Sequence, residues 1–211
     1  MKKVLALLLA LLMLIAVSSA AFAEEKQTVV ATNYPLYDMA RNICGELVDV
    51  VYAPENAKEA AAEADIVLCI SDDMNDLQDT VVVNVLDGLD VIDDDPDALT
   101  IPVNCMLAAT YLADALNELD SENNSVYQEN LIAYISELSA VDFSIRDALT
   151  GDIVVDCADG SMAYFAREYG VKYEPGAEGA IVLSTYNFPA EDDLEVPYAE
   201  LLGRNIAALK G

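Results

Sequence analysis

The sequence contains no histidine and no tryptophan among its 211 residues. Without histidine the chain cannot form a Ser-His-Asp or Cys-His catalytic group, an HExxH metal site or any imidazole ligand to a metal. Basic residues are also scarce, because ten Lys and Arg face 38 Asp and Glu and leave a net charge of −28. Such a surface repels nucleic acid and anionic membranes, so we expect neither as a partner, and it attracts cations.

The first 23 residues have the pattern of a secretory signal peptide. Lys2 and Lys3 precede an apolar run over residues 4–17, and small residues that end at Ala23 follow it. The run is shorter than the ~20 residues that a membrane-spanning helix needs, which favours a cleaved signal over a transmembrane anchor. No cysteine follows the run, so we expect an exported protein, periplasmic or extracellular, without a lipid-anchor Cys at the cleavage site.

Four cysteines lie far apart in a chain that is predicted to reach an oxidising compartment. One or two disulfides are one interpretation, although the sequence does not reveal their pairing. Cys69 ends a predicted strand, Cys105 begins a predicted helix and Cys157 follows a predicted strand. In a parallel sheet such positions face one crevice, so these three thiols are a candidate site for a soft metal. Buried apolar packing is the third interpretation, and it is the one we favour for Cys44.

Residues 24–101 alternate short apolar runs with helical segments, which predicts a parallel α/β lobe whose sheet is covered on both faces. The predicted strands are residues 28–32, 48–52, 66–70 and 81–85. A helix over residues 36–44 is closed by Gly45, and a second helix over residues 56–64 is capped by Asn56.

Residues 102–149 carry two helical patterns, over 102–119 and 123–149, separated by polar residues that offer N-cap chemistry. The second pattern has a single apolar stripe at alternating spacings of four and three, formed by Tyr127, Leu131, Tyr134, Leu138, Val141, Ile145 and Ala148. At 1.5 Å per residue this helix would be ~40 Å long, which exceeds what one small α/β unit accommodates. We therefore predict that residues 102–149 form a helical spine between two lobes.

Residues 150–211 predict a second and thinner α/β lobe. Its strands cover residues 153–155 and 180–183, one helix covers 161–169 and ends at Gly170, and a final helix covers 198–209. The predicted fold class is therefore α/β, with two lobes of parallel sheets bridged by a long spine helix and a reduced C-terminal lobe.

Six segments, taken in order along the chain, carry a resemblance to a known family. They are VVATNYPLYD at 29–38, ADIVL at 64–68, DPD with the following IPVN at 95–104, LDSEN with YQEN at 119–130, AYFAREYG at 163–170 and the closing helix at 198–209. Together they resemble the substrate-binding proteins of bacterial zinc and manganese ABC importers, the metal-binding branch of the helix-spined binding proteins.

The resemblance implies two α/β lobes bridged by a rigid helix, with a metal ion held between the lobes. The family's ligands are three His, or two His and a Glu, together with an Asp or Glu. In this chain the loop of the first His is missing between Tyr52 and Asn56, and the other three ligand positions fall on Asp97, Asp159 and Ser184. The chain is thus identified as a shortened member of the family that lacks its histidine ligands.

Asp97, Asp159 and Ser184 are the candidate metal ligands that remain. Two carboxylates with nearby carbonyl oxygens suit hard cations such as Ca²⁺, Mg²⁺ or Mn²⁺ better than Zn²⁺. The alternative is that each aspartate caps a helix, Asp97 before the spine and Asp159 before the helix that begins near Ser161.

The predicted function is that of an exported solute-binding protein similar to the metal-ion receptor of an ABC importer, with the usual metal site degenerate. The resemblance implies a membrane permease as partner and Zn or Mn as the divalent cation, and the two carboxylates add Ca as a third candidate. The alternative is a non-transporting interaction or structural offshoot without bound metal. No nucleophile with a base is recognisable, so we do not expect an enzyme, and we expect a monomer.

Overall fold

The computed structural model describes residues 26–92 and 95–211, so the predicted signal peptide, residues 1–23, lies outside the described residues. Within those ranges the chain forms two parallel sheets and six α-helices. The strands are β1 Thr28–Ala31, β2 Asp49–Tyr52, β3 Ile66–Cys69, β4 Val81–Asn84, β5 Val154–Cys157, β6 Lys172–Tyr173 and β7 Ile181–Leu183. The helices are α1 Tyr34–Cys44, α2 Ala57–Ala61, α3 Pro102–Leu119, α4 Asn124–Ala148, α5 Ala163–Tyr169 and α6 Tyr198–Lys210.

The N-terminal sheet has the strand order β2-β1-β3-β4, and all its pairings are parallel. All four residues of β3 are buried, as expected for a strand whose sheet is covered on both faces. Helix α1 begins at Asn33, whose Oδ1 accepts a hydrogen bond from the Leu36 N–H at 3.1 Å. It ends at Gly45, whose φ of 57° is a conformation that glycine adopts without strain. The four predicted strands of this lobe are confirmed.

The predicted spine is a pair of helices. Helix α3 runs to Leu119, and after a short turn α4 folds back along it and packs closely against it. Along α4, Tyr127, Leu131, Tyr134 and Leu138 belong to the apolar core of the N-terminal lobe, whereas Ile145 and Ala148 belong to the core of the C-terminal lobe. Helix α4 therefore bridges both lobes, as predicted. In the described ranges no helix is long and apolar enough to cross a membrane.

The C-terminal sheet has the order β6-β5-β7, again with parallel pairings. The sequence predicted two strands here, and the structure adds β6, which has only two residues. Helix α5 ends at Gly170 in the left-handed conformation with φ 69°, as the sequence predicted. Helix α6 contacts both cores, since Leu201 packs in the core of the N-terminal lobe and Leu209 packs in the core of the C-terminal lobe.

Two local predictions were wrong. Helix α2 spans only Ala57–Ala61, and the Asn56 side chain makes no capping hydrogen bond. The side chain of Asn123 likewise does not cap α4, because Asn123 donates instead to the Asp120 carboxylate at 2.7 Å.

Asp38 is a buried carboxylate where α1, α4 and α6 meet. Its Oδ2 lies 3.5 Å from the Tyr134 hydroxyl on α4, and the backbone N–H of Tyr198 at the start of α6 donates to the carboxylate. Desolvation by burial raises the pKa of Asp38 to about 6, and repulsion from Glu137 acts in the same direction. The Tyr198 bond and the nearby Arg41 oppose this shift without cancelling it.

We expect Asp38→Asn to remove a pH-dependent part of the stability. Because the folded-state pKa lies above the ordinary 3.8, the ionised form of Asp38 disfavours folding. Its contribution is most favourable below about pH 4, and roughly 3 kcal/mol is lost as the pH rises through about 6. Urea titrations across the range from about pH 5 to about pH 8 should therefore give a flatter stability curve for Asp38→Asn than for the wild type. Parallel curves would contradict the assignment; the exposed Asp73→Asn is the control.

Candidate functional site

Three loops meet where the lobes face each other. Residues 95–97 lead into α3, residues 159–161 follow β5 and residues 184–187 follow β7. The carboxyl ends of parallel strands are the edge at which α/β proteins bind ligands. The three ligand positions that the resemblance implied, Asp97, Asp159 and Ser184, lie one in each of these loops.

Asp97 is held by the opposite lobe. Its side chain is buried, with Oδ1 accepting from Asn187 Nδ2 at 2.5 Å and Oδ2 accepting from the Ser161 N–H at 2.6 Å. Desolvation by burial raises the pKa of Asp97, and repulsion from Asp95 and Asp159 adds to the rise. The hydrogen bonds from Ser161 and Asn187 lower it and favour the charged form.

Asp159 bonds within its own lobe. Its Oδ2 accepts from the Ser184 hydroxyl at 2.5 Å, and its Oδ1 accepts from the Thr185 N–H at 2.7 Å. These bonds join the loop after β5 to the loop after β7. The structure therefore brings Asp159 and Ser184 into contact, and it brings Asp97 to the loop that carries Asp159.

Gly160 allows these loops to approach closely. A Cβ at this position would lie 2.5 Å from Asp97 Oδ2 and 2.8 Å from Thr185 Cγ2. Both distances are below ordinary van der Waals contact, so a larger residue would displace the Asp97 carboxylate. The absence of a side chain at Gly160 is thus part of the site.

Further hydrogen bonds cross between the lobes beside Asp97. The Tyr34 N–H at the start of α1 donates to the Asn187 carbonyl at 2.9 Å, and the Ile92 N–H donates to the Tyr164 hydroxyl at 2.8 Å. The Ser161 hydroxyl donates to Asp95 Oδ2 at 2.6 Å. The sequence did not single out Ser161, Tyr164 or Asn187 for the site.

The helix-capping alternative does not match the geometry. The Asp97 side chain makes no hydrogen bond to the short helical turn that follows it. At α5 the Ser161 hydroxyl, and not Asp159, accepts from the Ala163 N–H at 3.1 Å. Both aspartates instead bond to loops that are distant in the sequence.

The three candidate thiols lie apart, each in a different apolar cluster. Cys69 packs in the outer cluster of the N-terminal lobe, Cys105 is fully buried in the main core of that lobe, and the half-buried Cys157 packs against the core of the C-terminal lobe. Within the described residues all four cysteines are free.

The chemistry of the thiols also disfavours a metal site. Zinc and copper bind the thiolate form. Desolvation by burial raises the pKa of Cys69, and it raises the pKa of Cys157 to about 11, where the charge of Asp159 adds to the shift. Burial raises the pKa of Cys105 further still. Burial therefore disfavours the thiolate form that a metal ion would need at each of these positions.

The interlobe cluster does not fit the metal site that the resemblance implied. Each of the four carboxylate oxygens of Asp97 and Asp159 already accepts a hydrogen bond from this chain. In residues 26–92 and 95–211 no three Cys, Asp or Glu are grouped so that they could hold a metal ion. An ion would have to displace donors that are in place.

Two parallel α/β lobes, a long helix that bridges them and a polar cluster at their junction define the class of two-lobed, helix-spined solute-binding proteins. Within that class, the profile of the family described as zinc-uptake complex component A, periplasmic (ZnuA) matches residues 29–194. The chain belongs to this family.

Two relatives of this chain are substrate-binding lipoproteins of metal ABC transporters. The metal ABC transporter substrate-binding lipoprotein SsaB of Streptococcus sanguinis is 26% identical over 209 residues, which cover 78% of this chain and 67% of that protein. The manganese ABC transporter substrate-binding lipoprotein PsaA of Streptococcus pneumoniae is 26% identical over 213 residues, covering 80% and 68%. The chain thus matches about two thirds of the length of these relatives.

Solved structures share the fold. The Zn(II)-bound ZnuA-like domain of Streptococcus pneumoniae AdcA superposes with a TM-score of 0.75 at 16% identity, covering 88% of this chain and 98% of that one. Pseudomonas aeruginosa FpvC in complex with Mn²⁺ gives 0.70 at 15% identity, covering 88% and 97%. This chain therefore spans nearly the whole fold of these proteins with only 211 residues, and it does so without a single histidine.

Proposed function

We propose that this chain is an exported solute-binding protein of the metal-importer class whose interlobe site no longer takes Zn²⁺ or Mn²⁺ in the manner of its histidine-bearing relatives. The observation that carries the proposal is the hydrogen bonding of Asp97 and Asp159, whose carboxylate oxygens are all used by donors of this chain. The proposed partner is the membrane permease of an ABC importer, and the proposed state is a monomer that acts as a binding protein and not as an enzyme.

Isothermal titration calorimetry of the chain from residue 24 onward tests the proposal. We expect no saturable heat with Zn²⁺ or Mn²⁺ at micromolar concentrations, because two carboxylates without imidazole or thiolate ligands are a weak set for either ion. Saturable one-to-one binding that Asp97→Ala or Asp159→Ala abolishes would overturn it. The exposed Asp73→Ala, which removes the same charge elsewhere, is the control.

A hard cation is the second candidate cargo. Three carboxylates, Asp95, Asp97 and Asp159, lie close enough to influence one another, since the first and third raise the pKa of the second. A Ca²⁺ ion prefers oxygen ligands and would relieve this repulsion, but it would first have to displace the donors that Asp97 and Asp159 accept from. Saturable heat with Ca²⁺ alone, lost in Asp159→Ala, would favour a receptor for a hard cation.

The non-transporting offshoot differs from the receptor in its effect on uptake. Cells that lack the gene should accumulate a transported metal more slowly than the parent strain if the chain serves a permease. Equal uptake together with no calorimetric binding would favour the offshoot, whose function would reside on its surface.

A further inference from the structure

We infer that Asp97, Ser161 and Asn187 form an interlobe clasp, which keeps the two lobes closed without a bound ion. Asp97 precedes α3 on the side of the N-terminal lobe, whereas Ser161 and Asn187 belong to the loops after β5 and β7. Both oxygens of one carboxylate therefore reach across the junction, at 2.6 and 2.5 Å. The inference deepens the proposed function, on which it rests, by naming what takes the place of the ion.

The clasp acts together with neighbouring bonds. Asn187 is tied to the N-terminal lobe twice, through its side chain to Asp97 and through its carbonyl to the Tyr34 N–H. The Ser161 hydroxyl reaches Asp95, and Tyr164 accepts from Ile92. Two-lobed binding proteins close around a ligand by rotation about a hinge. Here such an opening would have to break several hydrogen bonds at once, among them charge-assisted ones, which are the stronger kind.

The amide of Asn187 gives the clasp a specific chemical signature. Its Nδ2 donates to Asp97, while its Oδ1 is buried and has no hydrogen-bond partner. If Asp97 became Asn, the Asn187 amide could turn over and accept from the new NH₂ group with Oδ1. The remaining carbonyl oxygen of the new side chain would still accept from Ser161 N–H. The clasp therefore keeps both hydrogen bonds, in a weaker neutral form, when the charge is removed, whereas a metal ligand needs the carboxylate.

Amide hydrogen exchange at Ser161 tests this inference on the chain from residue 24 onward, with EDTA present. In the wild type and in Asp97→Asn we expect slow exchange at Ser161 that does not change when Zn²⁺ replaces EDTA. In Asp97→Ala exchange should be at least about ten-fold faster, since a hydrogen bond to a charged group is lost. Asp73→Ala should match the wild type. Should Asp97→Ala fail to fold, Asn187→Ala replaces it, with the same expected gain in exchange in the loop after β5.

Two outcomes would overturn the clasp. One is wild-type exchange at Ser161 as fast as in Asp97→Ala. The other is exchange that slows only when Zn²⁺ is added, because the ion would then be what closes the lobes. Calorimetry separates the clasp from the proposed function. If the chain binds zinc although the Ser161 amide is already protected in EDTA, only the proposed function is refuted. If the chain does not bind zinc and the Ser161 amide is unprotected, only the clasp is refuted.

Discussion

Leu138→Ala is expected to lower the free energy of unfolding by about 3 kcal/mol, the largest loss we anticipate from any single truncation. Leu138 is 0% exposed on α4 and packs in the apolar core of the N-terminal lobe. Truncating the side chain to alanine leaves a cavity beside α4. The loss in unfolding free energy is therefore the transfer free energy of the removed atoms plus the cost of the unfilled cavity. Urea denaturation followed by circular dichroism measures it.

The same helix supplies the control. Ile132 is 67% exposed on α4, so Ile132→Ala removes a branched side chain from the same secondary structure without opening a cavity. We expect a change within about 0.5 kcal/mol for this variant. Similar losses for Leu138→Ala and Ile132→Ala would mean that this face of α4 is not buried in the core of the N-terminal lobe.

The stripe on α4 is the element that the sequence predicted best. Its seven positions follow one helical face without a glycine or proline, and all but Val141 are buried. The predicted strands of the N-terminal lobe are also confirmed. They were recognisable because a strand that is covered on both faces has a continuous run of apolar residues. Burial on a regular element leaves a regular pattern in the sequence.

Three features of the fold had no such pattern. Strand β6, Lys172–Tyr173, is two residues long and exists only through its pairing with β5. Helix α2 ends at Ala61 although the next residue, Ala62, also favours a helix, because the chain must turn there to enter β3. The return of α4 along α3 was also hidden, because periodicity tells which face is apolar but not in which direction the next helix runs.

The candidate site was predicted in part. The resemblance pointed to Asp97, Asp159 and Ser184, and the structure puts all three in the loops at the junction. Their partners were missed, because Asn187 lies 90 residues from Asp97 in the chain and Ser161 lies 64. Hydrogen bonds over such separations leave no local spacing to recognise. Asn187 lies in the loop that follows β7, four residues after Leu183, so the preference of ligands for the carboxyl ends of parallel strands could have pointed to it.

The same rule about strand ends was the basis for grouping the cysteines. Cys69 and Cys157 do stand at strand ends, but they end strands of different sheets. Cys105 lies one turn inside α3 with its thiol toward the Leu99 carbonyl at 3.1 Å, so it faces the core. A strand end predicts an edge, whereas the direction of each side chain decides whether groups at that edge meet.

Gly160→Ala is the second large effect that we expect, a loss of about 2 kcal/mol in the free energy of unfolding. The added methyl group would lie 2.5 Å from Asp97 Oδ2, which is buried and held by two hydrogen bonds. The carboxylate cannot move aside without breaking at least one of them. The matched control is Gly203→Ala inside α6, where a Cβ meets nothing within 4 Å. That substitution should stabilise the protein by about 0.5–1 kcal/mol, because alanine favours a helix over glycine.

A double-mutant cycle separates the close contact from a general effect of glycine loss. In an Asp97→Ala background the methyl group of Gly160→Ala no longer meets a carboxylate, and only the contact with Thr185 Cγ2 at 2.8 Å remains. We therefore expect Gly160→Ala to cost at least about 1 kcal/mol less there than in the wild type. Additive losses would mean that Gly160 and Asp97 do not act on each other. In that case the close approach of the loops could not be what keeps the carboxylate in place between the lobes.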